Sequence, residues 1–178
     1  TPRLTAFRNA GSFTRIHPSL PAVTCTAQSN YLTGRLPRYH GIVANGWFNR
    51  ELTEVQFWKQ SNHLVGGEPI YKAAKRRDPQ YTTAKLFWWY NMYSSADWSV
   101  TPRPIYRADG LKVPEIYGAP DSLADRLRDA CGPFPFFDFW GPKSSLASSR
   151  WLAEAAVKTL ERYRPTLTLV YLPHLDYD

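Results

Sequence analysis

Cysteines and long apolar runs are the features that this chain has least of. Its 178 residues include two cysteines, Cys25 and Cys131, which can form at most one disulfide and neither a disulfide framework nor a cysteine-based metal cluster. No apolar run approaches the roughly 20 residues that a transmembrane helix needs, and the first residues show no signal-peptide pattern. We therefore expect a fold that has no membrane-spanning segment and does not depend on disulfides.

Acidic residues are also scarce relative to basic ones. The chain has 15 Asp and Glu against 22 Lys and Arg, which gives a formal net charge of +7 and a pI near 9.5. Such an excess favours anionic partners, such as a phosphate ester, nucleic acid or an acidic membrane surface. Hydrophobic residues make up 43% and aromatic residues 15% of the chain, which excludes an overall disordered protein. The length predicts one folded domain.

The segment around Thr24 carries the functional prediction. Residues 25–33 are predicted to form a helix with Gly34 as its stop signal, so residues 20–23 would deliver Thr24 to the helix N-terminus. There the helix dipole stabilises a bound anion by about 0.3 to 1 kcal/mol. A threonine hydroxyl is a weak nucleophile, and because no side chain within a few residues could act as its base, we expect a metal ion to activate it. The alternative is an ordinary N-cap threonine.

Apolar strand runs alternate with amphipathic helices along the chain. The predicted strands are residues 20–23, 82–89 and 167–172. The predicted helices, besides the one after Thr24, are residues 1–11, 68–77 and 122–131 and a last helix that begins at Ser148 or Ser149 and ends at Arg162. This alternation predicts an α/β fold in which the three strands share one mainly parallel sheet, with helices on both faces. Residues 91–147 are predicted to form an insertion or cap.

Two consecutive sequence blocks carry a family resemblance. The block T-C-T-A-Q-S-N-Y-L-T-G, which starts at Thr24, is followed by R-L-P-R-Y-H-G-I-V-A-N, which ends at Asn45. Together they resemble the nucleophile region of the alkaline phosphatase superfamily, in its type I phosphodiesterase/nucleotide pyrophosphatase branch. In that branch the nucleophilic Thr lies nine positions before the Thr of the T-G pair, here Thr33, and an Asn that binds a phosphoryl oxygen lies 21 positions after the nucleophile. Family members often carry Pro-Asn where this chain has Thr26 and Ala27.

The resemblance implies an alkaline-phosphatase-like domain that binds two divalent metal ions, commonly zinc. It assigns Thr24 as the nucleophile and a metal ligand, and Asn45 as a substrate-binding residue. The family's remaining Asp and His ligands would fall outside residues 1–178. We therefore expect this chain to be part of a single catalytic domain that lacks its N- and C-terminal parts, and to be inactive by itself.

Asp176, just beyond the last predicted strand, is the second predicted metal ligand. Ligands gather at the carboxyl ends of the strands in open α/β sheets, so a carboxylate there can reach a metal ion. The resemblance places the family's metal-binding Asp at Asp176 rather than at Asp178, and His174 is expected to pack at the edge of the site. The alternative is that Asp176 only caps a turn.

The resulting prediction is a metal-dependent phosphodiesterase or nucleotide pyrophosphatase-like hydrolase with a phosphothreonine intermediate, acting on a small phosphate ester or nucleotide. One alternative is a phosphonate C–P hydrolase similar to phosphonoacetate hydrolase, and another is a non-catalytic basic binding module without metals. The basic residues of the predicted helix 68–77 are expected to form a solvated face, so we predict no nucleic-acid partner.

Overall fold

A computed structural model describes residues 2–139 and 141–175 of the chain. The helices are α1 (Pro2–Asn9), α2 (Thr24–Thr33), α3 (Pro37–His40), α4 (Ile70–Arg77), α5 (Ser122–Cys131) and α6 (Leu146–Tyr163). The strands are β1 (Gly46–Asn49), β2 (Glu54–Phe57), β3 (Thr83–Leu86), β4 (Trp98–Pro102), β5 (Ile105–Tyr106), β6 (Lys112–Val113), β7 (Ile116–Ala119) and β8 (Leu167–Val170). Short 3-10 turns occupy Asn62–Leu64, Phe136–Asp138 and Pro173–Leu175.

The main sheet has four strands in the order β7-β4-β3-β8. Strand β3 runs parallel to both of its neighbours, with Lys85 opposite Ser99 of β4 and Leu169 of β8. Strand β7 closes the other edge antiparallel to β4. Two separate antiparallel pairs, β1 with β2 and β5 with β6, lie outside this sheet.

Helices flank the sheet because successive side chains of β3 point to opposite faces. Leu86 packs with Leu123 of α5 and Leu152 of α6 in the main buried cluster. The side chain of Lys85 points the other way, and its Nζ lies 5.4 Å from the ring of Tyr71 on α4. The predicted fold class, an α/β fold with a mainly parallel sheet flanked by helices, is therefore confirmed.

Close packing of α5 on β7 depends on one glycine. A Cβ at Gly118 would lie 2.7 Å from the backbone nitrogen of Ala124, closer than van der Waals contact allows. Only glycine therefore lets the helix sit this near the strand.

The prediction that residues 20–23 form a strand of the main sheet is wrong. The two other predicted strands do pair with each other, as β3 and β8. Residues 20–23 instead form an irregular segment whose Leu20 side chain is 85% exposed. Pro18 and Pro21 supply no backbone N–H, which removes donors that a sheet ladder would need.

The start of α6 also differs from its prediction. Its N-cap is Ser145, whose hydroxyl accepts a hydrogen bond from the backbone nitrogen of Ala147 at 3.2 Å. Ser148 and Ser149, the predicted caps, are buried inside the helix. The hydroxyl of Ser145 also donates to Asp138 at 2.9 Å, so a contact from outside the helix determines where it begins.

Within the residues that the structure describes, no helix is both long and apolar enough to cross a membrane. Strands β4 and β7 and helix α5 come from residues 91–147, the segment predicted as an insertion or cap, and that domain division stays a prediction.

Candidate active site at the N-terminus of α2

Thr24 is the first residue of α2. Val23 occupies the cap position in an extended conformation (φ −116°, ψ 159°), and no side chain caps the helix. Thr24 is therefore not an N-cap residue, and its hydroxyl makes no hydrogen bond to another described residue. The helix ends as predicted at Gly34, which adopts the left-handed conformation with φ 63°.

Asn45 lies directly at the same helix end. Its Oδ1 accepts a hydrogen bond from the backbone nitrogen of Cys25 at 2.9 Å, and its backbone carbonyl accepts from the nitrogen of Trp58 at 3.0 Å. Because a backbone N–H can only donate, the atom that faces Cys25 must be the amide oxygen. The Nδ2 group, a donor only, is therefore left to face away from the helix backbone.

Asn30 of α2 contacts both the buried His40 and Ser19, which lies in the segment before Thr24. The Nδ1 of His40 accepts from the backbone nitrogen of Ile42 at 3.1 Å, so Nε2 carries the hydrogen and donates to Oδ1 of Asn30 at 2.6 Å. The opposite amide orientation would leave the imidazole accepting at both nitrogens, which the neutral ring cannot do. Nδ2 of Asn30 donates to the hydroxyl of Ser19. Burial lowers the pKa of His40, so the ring is neutral at neutral pH.

Thr24 and Asn45 line one cavity of about 570 Å³. Its lining residues are Ala22, Val23, Thr24, Ala27, Gln28, Tyr31, Asn45, Trp58, Trp88 and Tyr171. Tyr171 directly follows β8 and Trp88 lies two residues after β3, so the cavity opens at the carboxyl ends of two parallel strands. This is the edge at which open α/β sheets bind ligands. The structure thus brings Thr24 and Asn45 together, while their roles stay predictions.

The cavity offers Thr24 no side-chain base. Among its described lining residues none is Asp, Glu, His, Lys or Arg. Cys25, the next residue along α2, is buried, and burial raises the pKa of its thiol to about 12, so this group is protonated and unreactive.

In the described part of the cavity, Thr24 Oγ1 is a hydroxyl oxygen that could bind a metal ion, and it is not hydrogen-bonded to another described side chain. Over residues 2–139 and 141–175 no group of three or more His, Cys, Asp or Glu comes together. The predicted ligand Asp176, like Asp178, lies outside the described residues. The segment that leads to it does reach the site, because Tyr171 lines the cavity. His174 packs against α6, where its Nδ1 lies 2.9 Å from the hydroxyl of Ser149.

The sequence analysis did not identify two buried polar residues, Gln28 in the cavity wall and Lys85 in β3. Gln28 stands four positions after Thr24, a helical spacing that could have identified it. Lys85 interrupts the apolar run of a predicted central strand, and this position in the sequence could have indicated a buried lysine. It is fully buried, its Nζ donates to the carbonyl of Tyr90 at 3.3 Å, and burial lowers its pKa to about 7.

The fold of this chain is similar to that of solved structures of a known enzyme. The chain is similar to phosphonoacetate hydrolase from Sinorhizobium meliloti 1021 in complex with phosphonoacetate (TM-score 0.63, 19% identity) and with phosphonoformate (TM-score 0.61, 17% identity). Each alignment covers 95% of this chain and 39% of the solved chain. A sequence search of the curated proteins found no match.

These similarities define an alkaline-phosphatase-like α/β fold. The sequence profile of the family described as type I phosphodiesterase / nucleotide pyrophosphatase matches residues 1–178, and the chain belongs to that family. The resemblance that the Thr24 and Asn45 blocks predicted is thereby confirmed. The chain spans 39% of the length of the solved structures that it resembles.

Proposed function

We propose that the full-length protein is a metal-dependent hydrolase of phosphate diesters or related phosphoryl compounds and uses Thr24 as its nucleophile. The observation that carries this proposal is the placement of Thr24 at the start of α2, with a free hydroxyl, in one cavity with Asn45. Family membership supports a phosphoryl substrate.

Each residue would have a defined task. Thr24 Oγ attacks phosphorus, the P–O bond to the leaving group breaks, and the hydroxyl proton leaves with the released alcohol. Water then cleaves the phosphothreonine, which regenerates Thr24 and releases the phosphorylated product. Nδ2 of Asn45 donates to a non-bridging oxygen whose charge grows in the transition state. The N-terminus of α2 adds its dipole to the stabilisation of that charge.

Metal dependence is part of the proposal because the cavity lacks a base for Thr24. A divalent cation bound there would supply the Lewis acidity that lowers the pKa of the hydroxyl. Thr24 and, by family resemblance, Asp176 would hold one of two such ions, for which zinc is the expected metal. The placement of Tyr171 in the cavity supports this pairing, since the chain leading to Asp176 starts from the same wall.

The test compares two threonines of the same helix turn. We expect Thr24→Val in the full-length protein to abolish hydrolysis of bis(p-nitrophenyl) phosphate in the presence of Zn²⁺. Thr26→Val is the matched control, because Thr26 is fully buried and its hydroxyl has no partner among the described residues, so its loss should be nearly neutral. Full activity of Thr24→Val, or equal losses in both variants, would overturn the assignment.

The main alternative is hydrolysis of a phosphonate C–P bond, which the similarity to phosphonoacetate hydrolase suggests. Phosphonoacetate carries a carboxylate besides its phosphonate, and such a group calls for cationic side chains. No Lys or Arg occurs among the described residues that line the cavity, which favours the diester. Release of acetate from phosphonoacetate at a rate above that of nitrophenol from the diester would reverse this preference. A non-catalytic binding module would bind phosphate esters but hydrolyse neither compound.

A further inference from the structure

Gln28 occupies the same face of α2 as Thr24, one helical turn along. Residues four positions apart on a helix are neighbours, with Cβ atoms about 5 to 6 Å apart. The Gln28 side chain is 5% exposed, yet it lines the cavity that contains Thr24. Gln28 is therefore a buried polar residue in the wall of the cavity that contains Thr24, and it also borders a smaller cavity.

The orientation of the Gln28 amide follows from its partner. Its side-chain oxygen accepts from the backbone nitrogen of Trp89 at 2.8 Å, in the segment after β3. A backbone N–H cannot accept, so the oxygen must be the atom on that side. Nε2 then carries two hydrogens, and no described residue accepts either of them.

Asn45 is held in the same way in the wall of the same cavity. Its oxygen is bound by the backbone nitrogen of Cys25 and its Nδ2 is left as a donor. Two carboxamides thus line one cavity, and in each a backbone N–H occupies the oxygen. A phosphodiester has two non-bridging oxygens, each of which can accept from one such donor.

We propose that Gln28 is a further substrate-binding residue, whose Nε2 donates to the non-bridging phosphoryl oxygen that Asn45 does not contact. This inference rests on the proposed function, because it takes the phosphoryl group to lie beside Thr24. Gln28 has a second role that is purely structural, since its Oε1 connects α2 to the segment after β3.

Gln28→Glu separates the two roles. A glutamate keeps an oxygen for the N–H of Trp89 but replaces the Nε2 donor with a second oxygen. We expect kcat/KM for bis(p-nitrophenyl) phosphate to fall by about 10² to 10³, the effect of losing one donor to a developing oxyanion. We also expect this deficit to shrink as the pH is lowered, because a protonated carboxyl group can donate again. The midpoint of thermal unfolding should stay close to that of the wild type.

The control is Gln56→Glu in β2, the same substitution at a glutamine of similar burial (7% exposed) that does not line the cavity. It should leave kcat/KM and its pH dependence unchanged. A Gln28→Glu variant with wild-type kcat/KM would overturn the inference and leave Gln28 with its structural role alone. A deficit that stays constant with pH and follows the loss of thermal stability would overturn it as well.

A binding measurement distinguishes failure of this inference from failure of the proposed function. If the full-length wild type hydrolyses no diester, the proposed function fails, and calorimetric titration with dimethyl phosphate in the presence of Zn²⁺ becomes the readout. Binding at least ten times weaker in Gln28→Glu than in the wild type would support Gln28 as a phosphoryl-binding residue. Equal affinities, or no binding to the wild type, would overturn that role.

Discussion

The side chain of Asn45 combines a fixed oxygen with a free donor. Its Oδ1 is held 2.9 Å from the backbone nitrogen of Cys25, so the position of Nδ2 is determined before any substrate arrives. Donors that are already oriented stabilise a transition state without reorganisation. Because Nδ2 is already oriented, substitution of Asn45 should directly affect the stability of the transition state.

We expect Asn45→Ala to lower the turnover of the full-length protein by about 10² to 10³, as for loss of one oxyanion donor. The measurement is steady-state hydrolysis of bis(p-nitrophenyl) phosphate. Asn49→Ala is a matched control, because Oδ1 of Asn49 also accepts from a backbone nitrogen, that of Leu52 at 3.0 Å, but Asn49 does not line the cavity. Unchanged turnover in Asn45→Ala would remove this residue from the mechanism.

Single residues differ in how far the sequence alone predicts them. The spacing of Thr24 and Asn45 could be read from the family pattern, and the structure places both in one cavity. The donor role proposed for Gln28 could not be read in this way. Its amide orientation depends on Trp89, which is 61 positions away in the chain and meets α2 only in the folded protein.

Strand β3 contains a buried lysine, Lys85, whose burial destabilises the folded protein when the amine is charged. Lys85 is fully buried between β4 and β8, and the described residues place no carboxylate within ion-pair distance of it. Burial lowers the pKa of its amine from the ordinary 10.5 to about 7. The folded state therefore releases this proton well below the pH at which the unfolded state does.

We expect Lys85→Met to raise the free energy of unfolding at pH 7. Between about pH 7 and pH 10.5 the unfolded wild type binds one more proton than the folded protein, so wild-type stability rises with pH across this window, by up to about 1.4 kcal/mol per unit. Urea unfolding at pH 7, 8 and 9 should show this slope in the wild type and lose it in Lys85→Met. Lys59→Met, at an exposed lysine that pairs with Glu54, should keep the slope. Identical slopes in the wild type and Lys85→Met would contradict the assignment.

Helices and strands were predictable where their signals are local. Helix α5 has its predicted bounds because Gly132 and Pro133 terminate it within the sequence itself. The start of α6 was mispredicted because several serines compete there, and a hydrogen bond from Ser145 to Asp138 decides between them. Residues 20–23 have an apolar pattern typical of a strand, but their proline blocks the ladder. The local sequence pattern thus predicts the type of an element more reliably than it predicts where the element begins or which strand it pairs with.

The basic charge of the chain is partly neutralised where it is densest. On α4, Lys75 pairs with Asp97 and Arg76 pairs with Glu68. Exposed ion pairs of this kind add little stability, but they reduce the positive charge that the helix offers to a polyanion. The basic residues of α4 therefore present less unpaired positive charge than the sequence alone indicates.

For the full-length protein we expect removal of divalent metal to abolish hydrolysis. Because the described part of the cavity offers Thr24 no base, its hydroxyl should stay protonated and unreactive without a cation. Dialysis against EDTA should eliminate turnover of bis(p-nitrophenyl) phosphate, and added Zn²⁺ should restore it. Dialysis in buffer alone is the control. Hydrolysis that persists in protein shown by elemental analysis to be metal-free would refute metal dependence.

The tryptophans around the cavity have a practical consequence. Trp58 and Trp88 both line it, and the ring of Trp58 stacks on that of Trp89 at a centroid distance of 4.7 Å. Indole emission is sensitive to nearby charge and to displaced water, so an anion that enters beside Thr24 should change the intrinsic fluorescence of the protein. The molecule thereby contains an optical reporter of ligand occupancy. Unlabelled phosphate esters and phosphonates can therefore be screened by titration, even in variants that do not hydrolyse them.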